Sequence, residues 1–560
     1  MGRRIVIIGG VAAGPKVATR ARRLDPEAEI TMVERGSLIS YASCGLPFYL
    51  AGEVKDYGQL FATAYGVRRD EDYFWSERAV RVLTRTEAVA VDREHKRVRL
   101  ADRTNGREFD LPYDRLVLAT GSEPLTPPIE GLSLKGVYRL NRPEDAEALA
   151  AGMGEAKSAV IIGAGMIGLE AADALAKRGM TVTLVEIKDQ VLPGLLDADL
   201  ARLLAEWLAG RGVRVYLQER VLRLEGDAEG RVRTVVTASG NLTADLVVLA
   251  TGVRPNVALA RAAGLALGET GAIAVNEYLQ TSDPDIYALG DCVENLHLVS
   301  RRKVYLPMAS IAARQGRVVG DNLAGIRTRF PGVLGTAVLK VLGHNVGRTG
   351  LGETQAAEAG FEVRTILIGA NDRTHYHPEQ GPIILKLVTE AKTGRILGAQ
   401  GMGPGEVVKR IDVLATAITY KATVEDLATV DLGYAPPFNS PLDPIHHAVN
   451  TVRNKEAGMA RTLSARELVE KLARGDDFVL LDVRTLPQHG VRHIKASNTV
   501  VIPLGELRSR LHELPRDKEI VVYCAAGARS YEAQRILDGA GFRNVSFLEG
   551  GMMAWPYEAE

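Results

Sequence analysis

Cysteine is scarce in this 560-residue chain: Cys44, Cys292 and Cys524 are all it has. Their wide spacing leaves no CxxC pair, which excludes a zinc knuckle or a local dithiol and calls for no metal. It points instead to reactive thiols in a reducing, cytoplasmic setting. Net charge is also absent, since Lys plus Arg and Asp plus Glu each number 69. That balance excludes a general attraction to nucleic acid or acidic membrane, so an anionic ligand must be met locally. Long hydrophobic runs are missing as well. Met1 to Ala13 imitates a signal peptide, but its apolar run is only Ile5 to Ile8 and two glycines follow, so a first strand is expected and no membrane span. What remains, 46% hydrophobic and 25% charged residues, describes a globular chain with room for about three or four domains.

The first strand, Arg4 to Ile8, leads into a turn at Gly9 to Gly14, a helix over Pro15 to Leu24 and a second strand, Ile30 to Val33, ending at Glu34. Such a βαβ unit lets backbone approach a pyrophosphate at a helix N-terminus, while the terminal acid accepts ribose hydroxyls. The middle glycine of the motif is replaced by Val11, and a generic strand-turn-helix is the alternative. A second copy is cleaner. Ser158 to Ile162 is followed by Gly163-Ala164-Gly165-Met166-Ile167-Gly168, a helix over Leu169 to Arg178 and a strand from Thr181 to Val185 ending at Glu186. Glu186 would repel a 2′-phosphate, which favours NADH over NADPH. Two such units in one chain imply two dinucleotides bound face to face.

Leu116 to Gly121 and Leu246 to Gly252 repeat one apolar strand with the same Ala-Thr-Gly ending, and the stretch Thr281 to Asp291 supplies a strand closing on Gly290-Asp291. Taken together, these motifs make residues 1 to about 450 resemble the two-dinucleotide flavoprotein disulfide reductases, which carry FAD on the first unit and a nicotinamide cofactor on the second. The resemblance implies an α/β chain with two Rossmann-like domains, an FAD-binding one at 1–112 and 253–325 and an NAD(P)H-binding one at 113–252. An α+β dimerisation domain at 326–450 would follow, with a mixed sheet that includes Ile383 to Thr389 and Ile396 to Gly401 and a helix from Glu406 to Tyr420. It also implies cofactor contacts at Gly9, Gly10, Val11, Ala12, Gly14, Glu34, Arg35, Ser43, Ala119, Thr120, Gly121, Gly163, Gly165, Gly168, Glu170, Glu186, Gly252, Gly290, Asp291, Pro307 and Ala309.

Within that family the redox centre separates the branches. Cys44 stands in Ser40-Tyr41-Ala42-Ser43-Cys44-Gly45-Leu46-Pro47-Phe48-Tyr49, before a helix expected over Leu46 to Gly52, where amides and the helix dipole would favour a thiolate. A packed apolar cysteine is the alternative reading of such a residue, and the one preferred for Cys292. Tyr49 occupies the place of the second cysteine in the dithiol members, so this resembles a one-cysteine enzyme. Ala12 stands where the peroxidases carry histidine. Cys44-Gly45-Leu46-Pro47 and Tyr434-Ala435-Pro436-Pro437-Phe438 are similar to the coenzyme A disulfide and persulfide reductases, from which Ser43, often Asn there, departs. That similarity implies a homodimer in which Tyr434 and Tyr376 cross to the partner's cysteine, with coenzyme A held by Arg20, Arg23, Ser40 and Ser43.

After a polar linker placed at 451–460, a new α/β pattern begins. Phe478 to Asp482 and Glu519 to Tyr523 are strands, and the second leads into Cys524-Ala525-Ala526-Gly527-Ala528-Arg529-Ser530. A small-residue loop there aims backbone amides at the sulfur and would stabilise a thiolate or persulfide anion. Asp482-Val483-Arg484, His493-Ile494, the Cys524 loop and Glu549-Gly550-Gly551 make 461–560 similar to a rhodanese sulfurtransferase domain, with Cys524 catalytic and Arg529 contacting substrate. Gln488, where an acid is common, and Arg492, where glycine is usual, are its departures. The combined expectation is an FAD-dependent reductase that spends NAD(P)H on coenzyme A disulfide, coenzyme A persulfide or polysulfide through Cys44. Its rivals are an NADH oxidase or peroxidase cycling through sulfenic acid, and a sulfurtransferase or redox-sensing module without efficient turnover.

Overall fold

The computed structural model describes residues 2–560; Met1 lies outside them. The chain divides into two compact units. One comprises residues 2–185 with Arg220–Val333, the other Glu186–Glu219 with Leu334–Glu560. No helix among the described residues is long and apolar enough to cross a membrane.

In the first unit, short apolar strands alternating with helices build two parallel sheets. Ile286–Ala288, Arg115–Leu118, Arg4–Ile8, Glu29–Val33 and Arg81–Leu83 lie side by side in that order. The continuous apolar runs follow from burial on both faces: Ile5, Ile7 and Val117 face one core, Val6, Ile8, Leu116 and Leu118 the other. The second sheet repeats the plan with Val137–Arg139, Leu246–Leu249, Ser158–Ile162 and Thr181–Val185. The two echoed strands occupy equivalent places, each beside the strand that opens its glycine turn. Helices Ala13–Leu24 and Met166–Lys177 follow those turns.

In the second unit, Ala337–Val341, His344–Gly350, Ile396–Gly403, Pro382–Glu390 and Val363–Asn371 form a sheet that is antiparallel throughout, not mixed. The first hairpin explains the reversal: Leu342 (φ 45°) and Gly343 (φ 84°) form a two-residue turn with both φ angles positive, matching the strand twist. Helix Val408–Thr419 buries Ile411 and Leu414 against this sheet. The polar stretch expected as a linker is helical as far as Glu456. Asp443 accepts a hydrogen bond from Ile445 N (2.9 Å) at the start of helix Pro444–Glu456, and Ala448, Val449 and Val452 are buried on the sheet. A parallel sheet of Thr462–Leu463, Val545–Leu548, Glu519–Tyr523, Phe478–Asp482 and Thr499–Val501 completes the unit.

Candidate active site

Cys44 lies in a short 3-10 turn, Ser43–Gly45, feeding helix Leu46–Ala51. Buried Leu46 and Leu50 anchor that helix, and Gly45 packs closely on Leu60, whose Cδ2 would stand 2.5 Å from a Cβ there. Arg178 donates through Nε to Leu50 O (2.7 Å), while Lys177 bridges Glu53 and Asp173 at 2.6 Å each. These bonds fix the cysteine-bearing helix to Met166–Lys177, the helix that carries Glu170. Tyr49 packs its ring on Tyr57, centroids 4.7 Å apart, so the place of a second thiol holds an aromatic pair.

All three cysteines are free, and Cys44 is exposed. Its thiol reaches solvent, yet the walls around it are dense: burial pushes its pKa up, Glu170 and Asp291 add to the rise, and a hydrogen bond with Ser43 opposes it. This reverses the expected lowering. The helix is only six residues long, and its dipole works against two carboxyl groups. Burial, with Asp173 adding repulsion, raises Glu170 to about 7.

The first glycine turn is a cradle for a dinucleotide. A Cβ on Gly9 (φ 113°) would stand 2.1 Å from Ala119 O, and one on Gly14 1.9 Å from Gly9 O, so strand, turn and helix meet at backbone distance. Glu34 accepts from Gly10 N and Gly36 N, both at 2.8 Å, leaving lone pairs for ribose hydroxyls. Gly290 N donates to the buried Gln315 (2.8 Å), which orients Asp291 toward Ser122 Oγ (3.2 Å). Thr120 Oγ1 donates to Asn256 O (2.7 Å), and a Cβ at Gly121 would meet open space. Val11 and Arg35 are half-buried, Ala12 is exposed, and Pro307 precedes helix Ala309–Leu323. In the second turn Gly163 and Gly168 repeat the close approaches, at 2.3 Å to Ala250 O and 2.0 Å to Gly163 O, whereas Gly165 faces open space. Gly252 closes the neighbouring strand with φ 95°. Glu186 is buried and accepts from Lys188 N (2.9 Å).

The basic residues divide. Arg20 is committed to an ion pair with Asp321 (2.6 Å), while Arg23 and Ser43 are exposed and Ser40 is buried with φ 49°. Cys292 is fully buried, its sulfur against Leu289 O and Leu118 O.

In the second unit, Tyr376 and Tyr434 are 64% and 48% exposed and meet at their hydroxyls, which raises the pKa of Tyr434. Thr374 Oγ1 donates to Pro436 O (3.3 Å), joining their loops. Sequence reasoning missed what holds those loops. Arg410, wholly buried, donates to Asp372 O (2.6 Å) and Asn439 Oδ1 (3.0 Å) and pairs with Asp443 (3.0 Å). An arginine in a helix whose neighbours Val407, Val413 and Leu414 are apolar was the available signal.

Cys524 is buried at the end of its strand, and Sγ accepts one amide hydrogen bond, from Gly527 N (3.1 Å, φ 111°). Met552 N and Met553 N donate to Cys524 O and Ala525 O, both at 2.9 Å, fixing the loop from behind. Beside it, buried Asp482 pairs with Arg484 (2.6 Å) and His489 (2.8 Å), and Arg484 donates to Gln488 O (3.2 Å). Gln488 Oε1 accepts from Arg529 (3.0 Å), so the altered position engages the loop's arginine without neutralising it. His493 stacks on His489, centroids 4.2 Å apart.

Residues 3–316 match the family model for the pyridine nucleotide-disulphide oxidoreductases, 336–443 that for their dimerisation domain, and 464–558 that for the rhodanese-like domain. An NAD(P)H coenzyme A polysulfide/persulfide reductase of Pyrococcus horikoshii is 40% identical over 447 residues, 80% of this chain and 97% of the relative. Among solved structures, an NAD-dependent persulfide reductase from A. fulgidus is similar at 46% identity and a TM-score of 0.94, covering 99% of this chain and 100% of that one. A reduced CoADR-RHD from Bacillus anthracis is similar at 36% identity and a TM-score of 0.91, with 99% and 98% covered.

Proposed function

Because the chain belongs to the pyridine nucleotide-disulphide oxidoreductases and ends in a rhodanese-like domain, we propose that it is an FAD-dependent NAD(P)H reductase of coenzyme A persulfide, coenzyme A disulfide or polysulfide. The observation that carries this reading is Cys44, a free exposed thiol in a turn whose second sulfur is replaced by Tyr49, beside a titrating carboxyl. The P. horikoshii relative, named for coenzyme A polysulfide and persulfide, supports the substrate class.

The family implies FAD and NAD(P)H, and the residues fit them. Gly9, Gly14 and Glu34 form a cradle that side chains would fill, Asp291 stands oriented at its mouth, and the open space over Gly165 suits a second pyrophosphate. FAD, when bound, supplies the two-electron link between nicotinamide and sulfur. Glu186 disfavours a 2′-phosphate, so NADH is the preferred donor.

At Cys44 the thiolate attacks the coenzyme A sulfur of the persulfide. The Cys44–coenzyme A disulfide bond forms, the outer S–S bond breaks, and hydrosulfide leaves. Two electrons then cleave the mixed disulfide, and the coenzyme A thiolate takes a proton. Overall, NADH, a proton and the persulfide give NAD⁺, coenzyme A and hydrogen sulfide. Glu170, raised to about 7, is suited to exchange the proton with Cys44 near neutrality. Arg23 and Ser43 would meet coenzyme A, with Arg20 acting through its pair with Asp321. Tyr376 and Tyr434 would complete the partner's site in a homodimer, in the cytoplasm. Cys524 would carry sulfane sulfur as a persulfide.

Sulfide release from coenzyme A persulfide with NADH, compared among wild type, Cys44→Ser and Cys524→Ser, tests the proposal. Cys44→Ser should lose release altogether and Cys524→Ser only in part. Retained activity in Cys44→Ser would overturn the reading.

A further inference from the structure

Strand Val363–Asn371 is the edge of the antiparallel sheet, and an edge strand ordinarily leaves amides unpaired. Here one of them is taken by the C-terminal domain. Leu367 N donates to Glu549 (3.0 Å), whose carboxylate also accepts from Lys455 Nζ (2.9 Å) and Thr462 Oγ1 (2.5 Å). Lys455 Nζ donates in turn to Thr365 O (3.1 Å), so an amide and a carbonyl on the strand's one free edge are both engaged beside one mostly buried carboxylate.

Glu549 opens a segment with two sides. A Cβ on Gly550 (φ 65°) would stand 2.6 Å from Leu367 Cδ2, and one on Gly551 (φ 55°) 2.5 Å from Cys524 O. Met552 N and Met553 N then hold Cys524 O and Ala525 O. Gly369 touches the cysteine loop directly: a Cβ there would lie 2.8 Å from Met553 Sδ and 3.3 Å from Ala526 Cβ. The strand's only glycine is the residue facing the loop.

We propose that strand Val363–Asn371 is a wall of the Cys524 site, with Gly369 and Glu549 as positioning residues that set the sulfur-carrying loop. The dimerisation sheet thereby fixes how Gly527 N meets the Cys524 sulfur, and a side chain at position 369 displaces that amide without touching the cysteine. The inference rests on the sulfurtransferase reading of Cys524 for its catalytic consequence, but its geometry is independent of that reading.

The test uses the full-length holoenzyme and two readouts: the pH profile of Cys524 alkylation by iodoacetamide, followed by peptide mass spectrometry, and sulfur transfer from thiosulfate to cyanide. Gly369→Leu should move the Cys524 profile to higher pH and slow sulfur transfer by about tenfold or more, since small misplacements at a reacting centre are costly. Cys44 alkylation should stay unchanged. Adding Met553→Ala, which makes room for the leucine, should restore both readouts, a result that general destabilisation would not give. If Gly369→Leu does not fold, the near-isosteric Glu549→Gln is read instead and should shift the same profile in the same direction. A wild-type Cys524 profile in the folded variant overturns the wall. A wild type inactive with thiosulfate whose alkylation profile still shifts in Gly369→Leu supports the wall and overturns the sulfurtransferase reading.

Discussion

Glu170 sets a pH window around Cys44. Its carboxyl, raised to about 7 by burial and Asp173, holds a proton that the unfolded chain gives up near 4.5, so the folded state binds the extra proton between those values. Stability therefore falls as pH rises across that window, and above it a carboxylate faces the thiol. Glu170→Gln should remove that repulsion and move the Cys44 labelling profile to lower pH. Rates of iodoacetamide labelling at Cys44 between pH 6 and 9 check it, and an unshifted profile would show that the two groups do not communicate. At Cys524 the corresponding test is Gln488→Glu. A carboxylate on Arg529 neutralises the guanidinium that the amide leaves charged, so KM for thiosulfate should rise about threefold or more while NADH-driven turnover at Cys44 persists. An unchanged KM would remove Arg529 from anion recognition. Much of this site was legible as residue types in motifs: Cys44 and Tyr49 by spacing, Cys524 by its loop. Pairings across the chain were not. Arg20 stands where an anion contact is expected, yet its partner Asp321 lies 301 residues away, beyond the reach of any local pattern.

Elements were readable where one physical cause dominates. Parallel strands buried on both faces appear as unbroken apolar runs, so Arg4–Ile8 and Ser158–Ile162 could be placed closely. The sheet of the second unit was harder, because strand direction depends on turn geometry: a leucine with positive φ at 342 is no standard turn signal. The end of helix Pro444–Glu456, from residue 451 on, reads as a linker because its outer face is polar while the apolar stripe is narrow. Helix packing under the first glycine turn is similarly hidden. Helices Ala13–Leu24 and Ala309–Leu323 approach so closely that a Cβ on Gly316 would stand 2.7 Å from Lys16 Cβ, and one on Gly320 2.5 Å from Arg20 Cγ. Gly320→Val should overpack this seam and cost about 1–3 kcal/mol. Because Ala13 and Gly14 belong to the same helix, the variant should also release FAD more readily. Thermal midpoint and flavin absorbance after gel filtration measure both effects. Gly210→Ala, where the added methyl meets open space at a helix end, is the control. A Gly320→Val protein with wild-type midpoint and flavin content would mean the seam relaxes without strain.

At the scale of the whole molecule, residues Glu186–Glu219 share a compact unit with the C-terminal half of the chain, and the chemistry of that union is ionic. Lys386, 3% exposed on strand Pro382–Glu390, is ringed by Asp199 (2.7 Å), Glu353 (2.9 Å) and Asp197 (3.1 Å). Nothing in the local sequence announces this, since alternation in a strand assigns a lysine to solvent. Burial alone would lower its pKa, but the three acids outweigh that and raise it. With a raised folded pKa, its contribution is complete below the unfolded value of about 10.4 and is lost only as pH rises through the higher folded value. The cluster therefore holds constant strength through neutrality. Lys386→Met keeps the aliphatic volume but removes the cation from Asp197, the most buried of the three acids, while Asp199 and Glu353 keep access to water, so the cost should be about 1–3 kcal/mol at pH 7.5. Salt screens the repulsion left among them, so the deficit should shrink between about 0.1 and 1 M salt. Urea midpoints of wild type and variant at pH 7.5 in low and high salt decide it. A deficit equal at both salt concentrations would assign the loss to packing, and no deficit would mean the apolar contacts of helix Ala198–Gly210 hold the segment without the ions.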